Sequence, residues 1–208
     1  VVVGDFVGIV GDTSGKPGSL ARIVNVKERK NSLSRTVDDA AKVERIIVAN
    51  IDQLVIVVAA ANPEPRRGLI DRFLVSAFDE GVIPIILVTK TDLAPVPDFL
   101  QEYHDLDVQV ISTKSGDDLS QIKELLHGKT SVLVGHSGIG KSTLINALVP
   151  HADRVIGEVN EITGRGRHTS SSAIALPLPP ELKLSEGWII DTPGIRAFGL
   201  AHMAPSII

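Results

Sequence analysis

Gly135-His136-Ser137-Gly138-Ile139-Gly140-Lys141-Ser142 is the stretch of this sequence that decides the fold. It matches G-x-x-x-x-G-K-[ST], a loop that needs a strand before it and a helix after it. Both neighbours are legible: residues 131–134 read Ser-Val-Leu-Val, and residues 141–148 carry apolar positions at helical spacing. Glycines in such a loop let backbone N–H groups converge on phosphate oxygens, and the helix N-terminus adds a favourable dipole. Lys141 is expected to reach the terminal phosphates and Ser142 to ligate magnesium, with Thr143 beside them in the first helical turn. A glycine-rich turn with no ligand is the competing reading, and the flanking strand and helix argue against it.

Working outward, Asp191-Thr192-Pro193-Gly194 closes an apolar run at 187–191 and supplies a second phosphate-facing element. Asp191 is expected to hold magnesium through water, and Gly194 to offer its N–H to a γ-phosphate. Between the two elements lies the polar loop Gly164-Arg165-Gly166-Arg167-His168-Thr169-Ser170, where Thr169 is a candidate third magnesium ligand that orders on nucleotide binding. Arg165 and Arg167 suit RNA phosphate, the nucleotide or plain solvation.

Thr89-Lys90-Thr91-Asp92 and Ser112-Thr113-Lys114 each follow an apolar strand, at 83–88 and 108–111. Both resemble guanine-reading loops. Asp92 can accept hydrogen bonds from guanine's ring N–H and amino group, Lys90 can lay its stem over the base, and backbone N–H near Thr113 can meet the base carbonyl. Adenine would set an acceptor against the carboxylate, and a site built around such a bond rejects the analogue lacking it by about 10⁴-fold. Thr89 stands where such loops usually carry Asn.

These base loops precede the phosphate loop, the reverse of the usual order, so the motifs run circularly permuted. A doubly wound sheet tolerates the change because every ligand loop sits at a strand's carboxyl end. The apolar runs at 54–60, 83–89, 108–112, 131–135, 172–176 and 187–191 predict a mostly parallel sheet. Helices are expected at 67–80, 98–104, 118–127 and 141–148. Ahead of them, residues 5–10 and 21–26 read as a hairpin around a turn-rich segment at 11–19, with one more strand at 45–49. These are too few strands to close a barrel alone.

Composition sets outer limits. The 208 residues are 43% hydrophobic and only 3% aromatic, so branched aliphatic side chains must build the core. No apolar run reaches the roughly 20 residues of a membrane span and no targeting pattern precedes the first strand, which makes a cytoplasmic location, away from any membrane, the default. There is no cysteine, hence no disulfide and no thiolate for zinc. A net charge of −4 argues against nucleic-acid binding through the overall field, while leaving local clusters such as Lys27, Arg29, Lys30 and Arg35 free to do so. The opening on Val1 rather than Met reads as a fragment or processed form.

Together with Lys30-Asn31-Ser32-Leu33, Ala49-Asn50-Ile51-Asp52-Gln53-Leu54 and Ile70-Asp71-Arg72-Phe73-Leu74, these motifs resemble the RsgA (YjeQ) family of circularly permuted small-ribosomal-subunit biogenesis GTPases. The resemblance implies an α/β fold: a circularly permuted P-loop GTPase with a mostly parallel doubly wound sheet, preceded by a partial β-barrel (OB-fold) module. The expected divisions are 1–49 for the partial OB-fold, 50–200 for the GTPase domain and 201–208 for the stub of a C-terminal zinc module, so zinc is expected only in that further module. It also implies GTP as substrate, GDP as product, magnesium as cofactor, and action on the small ribosomal subunit and its rRNA late in maturation; a monomer is expected. Another permuted GTPase target, a GTP-sensing binding module and an ATP-using kinase remain as alternatives, the last disfavoured by Asp92. Ile195 occupies the position where many GTPases orient water with Gln, and an aliphatic side chain cannot do that. His168, beside Thr169, is the candidate for the task, against the alternative of a solvated loop histidine.

Overall fold

Seven consecutive buried residues, Gln53–Ala59, make the strand around which the molecule is built. Its side chains alternate strictly between two cores, as the two-residue period of a strand requires. Leu54, Ile56 and Val58 pack with Ile70, Phe73, Leu74 and Ala77 on one face. Val55, Val57 and Ala59 pack with Ile122, Leu126, Leu144, Ile145 and Leu148 on the other. A run that must be apolar on both faces is what a strand covered by helices on two sides requires.

The computed structural model describes residues 1–38, 43–150, 152, 173–179 and 187–192. In chain order the strands are β1 (Val7–Gly11), β2 (Ala21–Val26), β3 (Ser32–Asp38), β4 (Val43–Ala49), β5 (Gln53–Ala59), β6 (Ile83–Thr89), β7 (Gln109–Ser112), β8 (Thr130–Val134), β9 (Ile174–Pro177) and β10 (Trp188–Asp191). The α-helices are α1 (Arg67–Asp79), α2 (Ser120–Leu126) and α3 (Lys141–Leu148). The main sheet has the order β7-β6-β5-β8-β10-β9. Its neighbours are parallel except for β9, which runs antiparallel to β10.

Two expectations change. Residues 98–104, expected as an α-helix, belong to a 3₁₀ helix at Asp98–Leu106 that ends on Asp107 in the left-handed region, φ +56°. The segment around Arg35, read only as a basic cluster, is β3, an antiparallel partner of β4. Its Ser-Leu-Ser-Arg alternation was the available signal, with Leu33 buried between two half-buried serines.

Ahead of the main sheet lie two antiparallel ribbons, β1-β2 and β3-β4. The join to β5 is a knot of side-chain amides and carboxylates. Asn31 donates from Nδ2 to the Ile51 carbonyl and accepts the Ile51 N–H, both at 2.9 Å. Asn50, at φ +53°, donates to the Gly4 carbonyl at 2.8 Å and accepts the Lys30 N–H at 2.8 Å. Asp52 donates its own N–H to the Thr130 carbonyl and accepts the Thr130 N–H on Oδ2, pairing the starts of β5 and β8. Arg29 grips Asp5 through two bonds of 2.7 and 3.0 Å, and that hydrogen-bonded guanidinium holds the Asp5 carboxyl below the usual carboxylate range.

Ile51 is fully buried, so both of its backbone polar groups depend on Asn31. Asn31→Ala leaves two buried groups unsatisfied, and the expected loss is about 3 kcal/mol. Urea unfolding should show a lower midpoint at unchanged slope; a shift worth under about 1 kcal/mol would show that the knot is dispensable.

Candidate nucleotide site

The site is assembled at the carboxyl ends of β5, β6, β7 and β8. The chain steps from β5 outward through β6 and β7, then returns to the other side of β5 with β8. The crevice at such a reversal is where open α/β sheets receive ligands.

The 135–142 loop leaves β8 with Gly135 at φ +150°. A Cβ there would lie 2.4 Å from the Val57 carbonyl oxygen and 2.3 Å from Ile139 Cδ1, so only glycine lets the loop lie this close to β5. Ile139 is 3% exposed and packs in the core with Val55 and Val57, which anchors the middle of the loop. Its side chain is thus a packing anchor, which leaves only its backbone for the ligand contact expected of it. Gly140, at φ +90°, opens α3, leaving Ser142 and Thr143 exposed in the first turn. His136, Ser137 and Gly138 form the exposed crest.

Two residues of the base loop hold this phosphate loop from below. Thr89 is buried, and its hydroxyl lies within bonding distance of the Val58 and Ile139 carbonyls. One hydroxyl proton serves one of these at a time. In the position where Asn was expected, Thr89 thus ties the end of β6 to the phosphate loop. Lys90, at φ +58°, donates from Nζ to the Gly138 carbonyl at 2.6 Å and to the Asn62 carbonyl. Its ammonium is a clamp under the loop while its stem lines the adjoining cavity.

That cavity encloses about 430 Å³, within the range of small-molecule sites. Thr89, Lys90, Asp92, Thr113 and Lys114 line one side, and Gly140, Thr143 and Leu144 of the phosphate loop and α3 line the other. Ser112 stays at the exposed end of β7 and is not on the wall. Among the lining residues that sequence reasoning missed are Ser115, Gly116, Asp117 and Leu119. Asp117 was detectable, because Lys-Ser-Gly-Asp is a turn sequence with a carboxylate positioned to bond back to its own backbone.

The backbone donors expected near Thr113 are already engaged. The Thr113 N–H donates to the Val88 carbonyl at 2.8 Å, extending the β6-β7 ladder. The Lys114 N–H donates to Asp117 Oδ2 at 3.0 Å.

Lys141 and Asp191, from the start of α3 and the end of β10, form an ion pair with side chains 13% and 16% exposed. Thr192 anchors the segment after β10 by donating from its hydroxyl to the Leu133 carbonyl at 2.8 Å. A hydroxyl at Ser142 and a carboxylate at Asp191 are hard oxygen donors that suit magnesium, a cation usually held by one or two protein groups plus phosphate. No cluster of three His, Cys, Asp or Glu side chains able to hold a metal exists among the described residues. His168, Thr169, Gly194, Ile195, Arg165 and Arg167 lie outside the described residues. No helix among the described residues is long and apolar enough to cross a membrane.

Comparison with known proteins agrees with this geometry. The family model described as RsgA GTPase matches residues 26–201. The chain is 39% identical over 213 residues to the small ribosomal subunit biogenesis GTPase RsgA of Shewanella oneidensis, covering 98% of this chain and 58% of that protein. The protein of the same name from Chlorobaculum parvum is 37% identical over 97% of this chain and 66% of its own length. Among solved structures, YjeQ from Thermotoga maritima superposes with a TM-score of 0.63 at 30% identity, over 93% of this chain and 61% of that one. YloQ, described as a circularly permuted GTPase, gives 0.58 at 27% identity, over all of this chain and 60% of that one. The chain thus spans roughly three fifths of the length of several of these relatives.

The packing at Gly135 makes its own test. Gly135→Ala must push the loop off Val57 or distort β5, at an expected cost of about 3 kcal/mol. Thermal unfolding should register that loss, whereas Gly138→Ala, whose added Cβ meets nothing within 4 Å, should cost less than half as much despite its φ of +80°.

Proposed function

We propose that this chain, which belongs to the RsgA GTPase family, binds GTP and magnesium, hydrolyses GTP to GDP and phosphate, and couples that reaction to late maturation of the small ribosomal subunit in the cytoplasm. The observation that carries the reading is the shared wall of the cavity. Asp92, the carboxylate suited to guanine, lines the same space as Gly140 and Thr143 at the start of the phosphate helix. A base held by the first group leaves its phosphates within reach of the second.

In this reading the backbone of residues 135–143 cradles the phosphates, and Lys141 leaves Asp191 for the β- and γ-phosphate oxygens. Ser142, Thr169 and Asp191 would hold the magnesium ion, whose charge offsets that developing on the transferred phosphoryl group. Water adds to the γ-phosphorus, the bond to the bridging oxygen breaks, and GDP leaves with phosphate. His168 orients that water in place of the aliphatic Ile195, and Gly194 N–H holds the γ-phosphate. At the base, Asp92 takes the ring N–H and amino group. The relatives' names speak of small-subunit biogenesis, which supports the subunit as partner, with Lys27, Lys30 and Arg35 as the basic side chains offered to rRNA. Arg29 is less suited to that task, since its guanidinium is engaged by Asp5, and Lys30 would have to give up its bond to Asp52. With no cysteine in the sequence, zinc has no thiolate ligand here.

GTP turnover measured with the protein alone, with small subunits and with large subunits, against an ATP control, tests the proposal. The expected result is GTP-selective turnover accelerated by small subunits only. Selective GTP binding without acceleration by either subunit would leave a nucleotide-sensing module instead. His168→Ala should lower stimulated kcat by about 10²-fold with KM little changed; full stimulated turnover in that variant removes His168 from the mechanism.

A further inference from the structure

The turn at residues 114–117, on the wall of the cavity that Asp92 also lines, carries the carboxylate of Asp117. Past the end of β7, the Thr113 N–H is spent on the ladder, so the Lys114 N–H is the first donor beyond it. That donor is held by Asp117 Oδ2 at 3.0 Å, while the Asp117 N–H returns to the Lys114 carbonyl at 3.3 Å. The two bonds close residues 114–117 into a turn. Gly116, at φ +84°, occupies its third position, which type II turns reserve for residues tolerating positive φ. Asp117 is exposed to solvent and lines the same cavity as Asp92.

We propose that Asp117 is a built-in competitor for the base: its carboxylate holds the Lys114 N–H that the 6-carbonyl of a guanine nucleotide takes, so binding requires Asp117 to be displaced. The inference rests on the reading of this cavity as the guanine site and adds a regulatory element to it. Asp92 and Asp117 have opposite effects. Asp92 faces donors on the base, so its charge attracts. Asp117 stands at the carbonyl edge, where two acceptors contest one N–H and repel each other. A charge-assisted bond to a backbone N–H is stronger than a neutral one, so Asp117 lowers affinity for the nucleotide and returns to its donor as the base leaves. The device favours nucleotide exchange without touching phosphate or magnesium.

Asp117→Asn keeps the turn's acceptor oxygen, removes the charge and adds an amide donor toward the carbonyl. In the full-length protein, a fluorescent GDP derivative should bind Asp117→Asn about tenfold more tightly than the parent protein, mostly through slower release. The paired probe is the corresponding derivative of 6-thioguanosine diphosphate, which keeps the ring N–H and amino group but presents a poor acceptor at position 6. With that probe the gain should shrink below about twofold. Unchanged or weaker GDP binding by Asp117→Asn, or an equal gain with both probes, overturns the proposal. Asp117→Ala serves as a second variant, and melting curves matched to the parent exclude misfolding. Failure of the underlying reading looks different: the parent protein itself would then bind GDP no better than ADP.

Discussion

The carbonyl of Val57 leaves no room for a side chain at Gly135, and most of the site's shape follows from that one contact. It presses the phosphate loop onto the central strand, and the loop's middle is then fixed by Ile139 reaching into the core that Val55 and Val57 share with α2 and α3. With the loop's start and middle anchored in apolar packing, its carbonyls face the base loop. There Thr89 and Lys90 receive them. Phosphate and base loops are therefore one polar unit resting on one apolar floor, and neither can be repositioned without the other.

This explains why Thr serves where Asn is usual. The position demands a short side chain that is buried, donates one hydrogen bond, and fits between the end of β5 and the phosphate loop. A hydroxyl meets those demands with less volume than an amide. Gly140 lies directly over it: a Cβ added there would sit in ordinary contact with Thr89 Oγ1, at 3.7 Å.

The order of the motifs and the strands of the main sheet could be read directly because each rests on local chemistry. A strand buried on both faces has to be apolar throughout, and a phosphate loop has to be glycine-rich between a strand and a helix. What stayed hidden depends on contacts between distant segments. Nothing within the neighbourhood of Asn31 announces that its amide will serve Ile51, and nothing near Lys90 announces a bond to Gly138. The antiparallel sense of β9 was likewise invisible, because a four-residue apolar run carries no direction. The backbone donors near Thr113 are visible in sequence, but only their tertiary partners reveal that they are already engaged.

The same distant contacts give the permuted order a mechanical meaning. β5 and β8 are joined at their starts by Asp52 with Thr130, and at their ends by Gly135 against Val57. A strand pair pinned at both ends and buried on both faces bends little, because interiors are close-packed. The N-terminal ribbons attach at the first pin through Asn31 and Asn50, and the phosphate loop attaches at the second. In a sequence where β5 follows the ribbons directly, no flexible linker separates the two attachments: Asn50 bonds to the ribbon side, Ile51 is fully buried, and Asp52 already belongs to the pin. Hydrogen bonds therefore run without interruption from the β3-β4 ribbon through residues 50–52 to the β5-β8 pair that carries the phosphate loop. The turn at residues 114–117 lies at the opposite, carboxyl end of the sheet, beyond β7 and outside that hydrogen-bonded path.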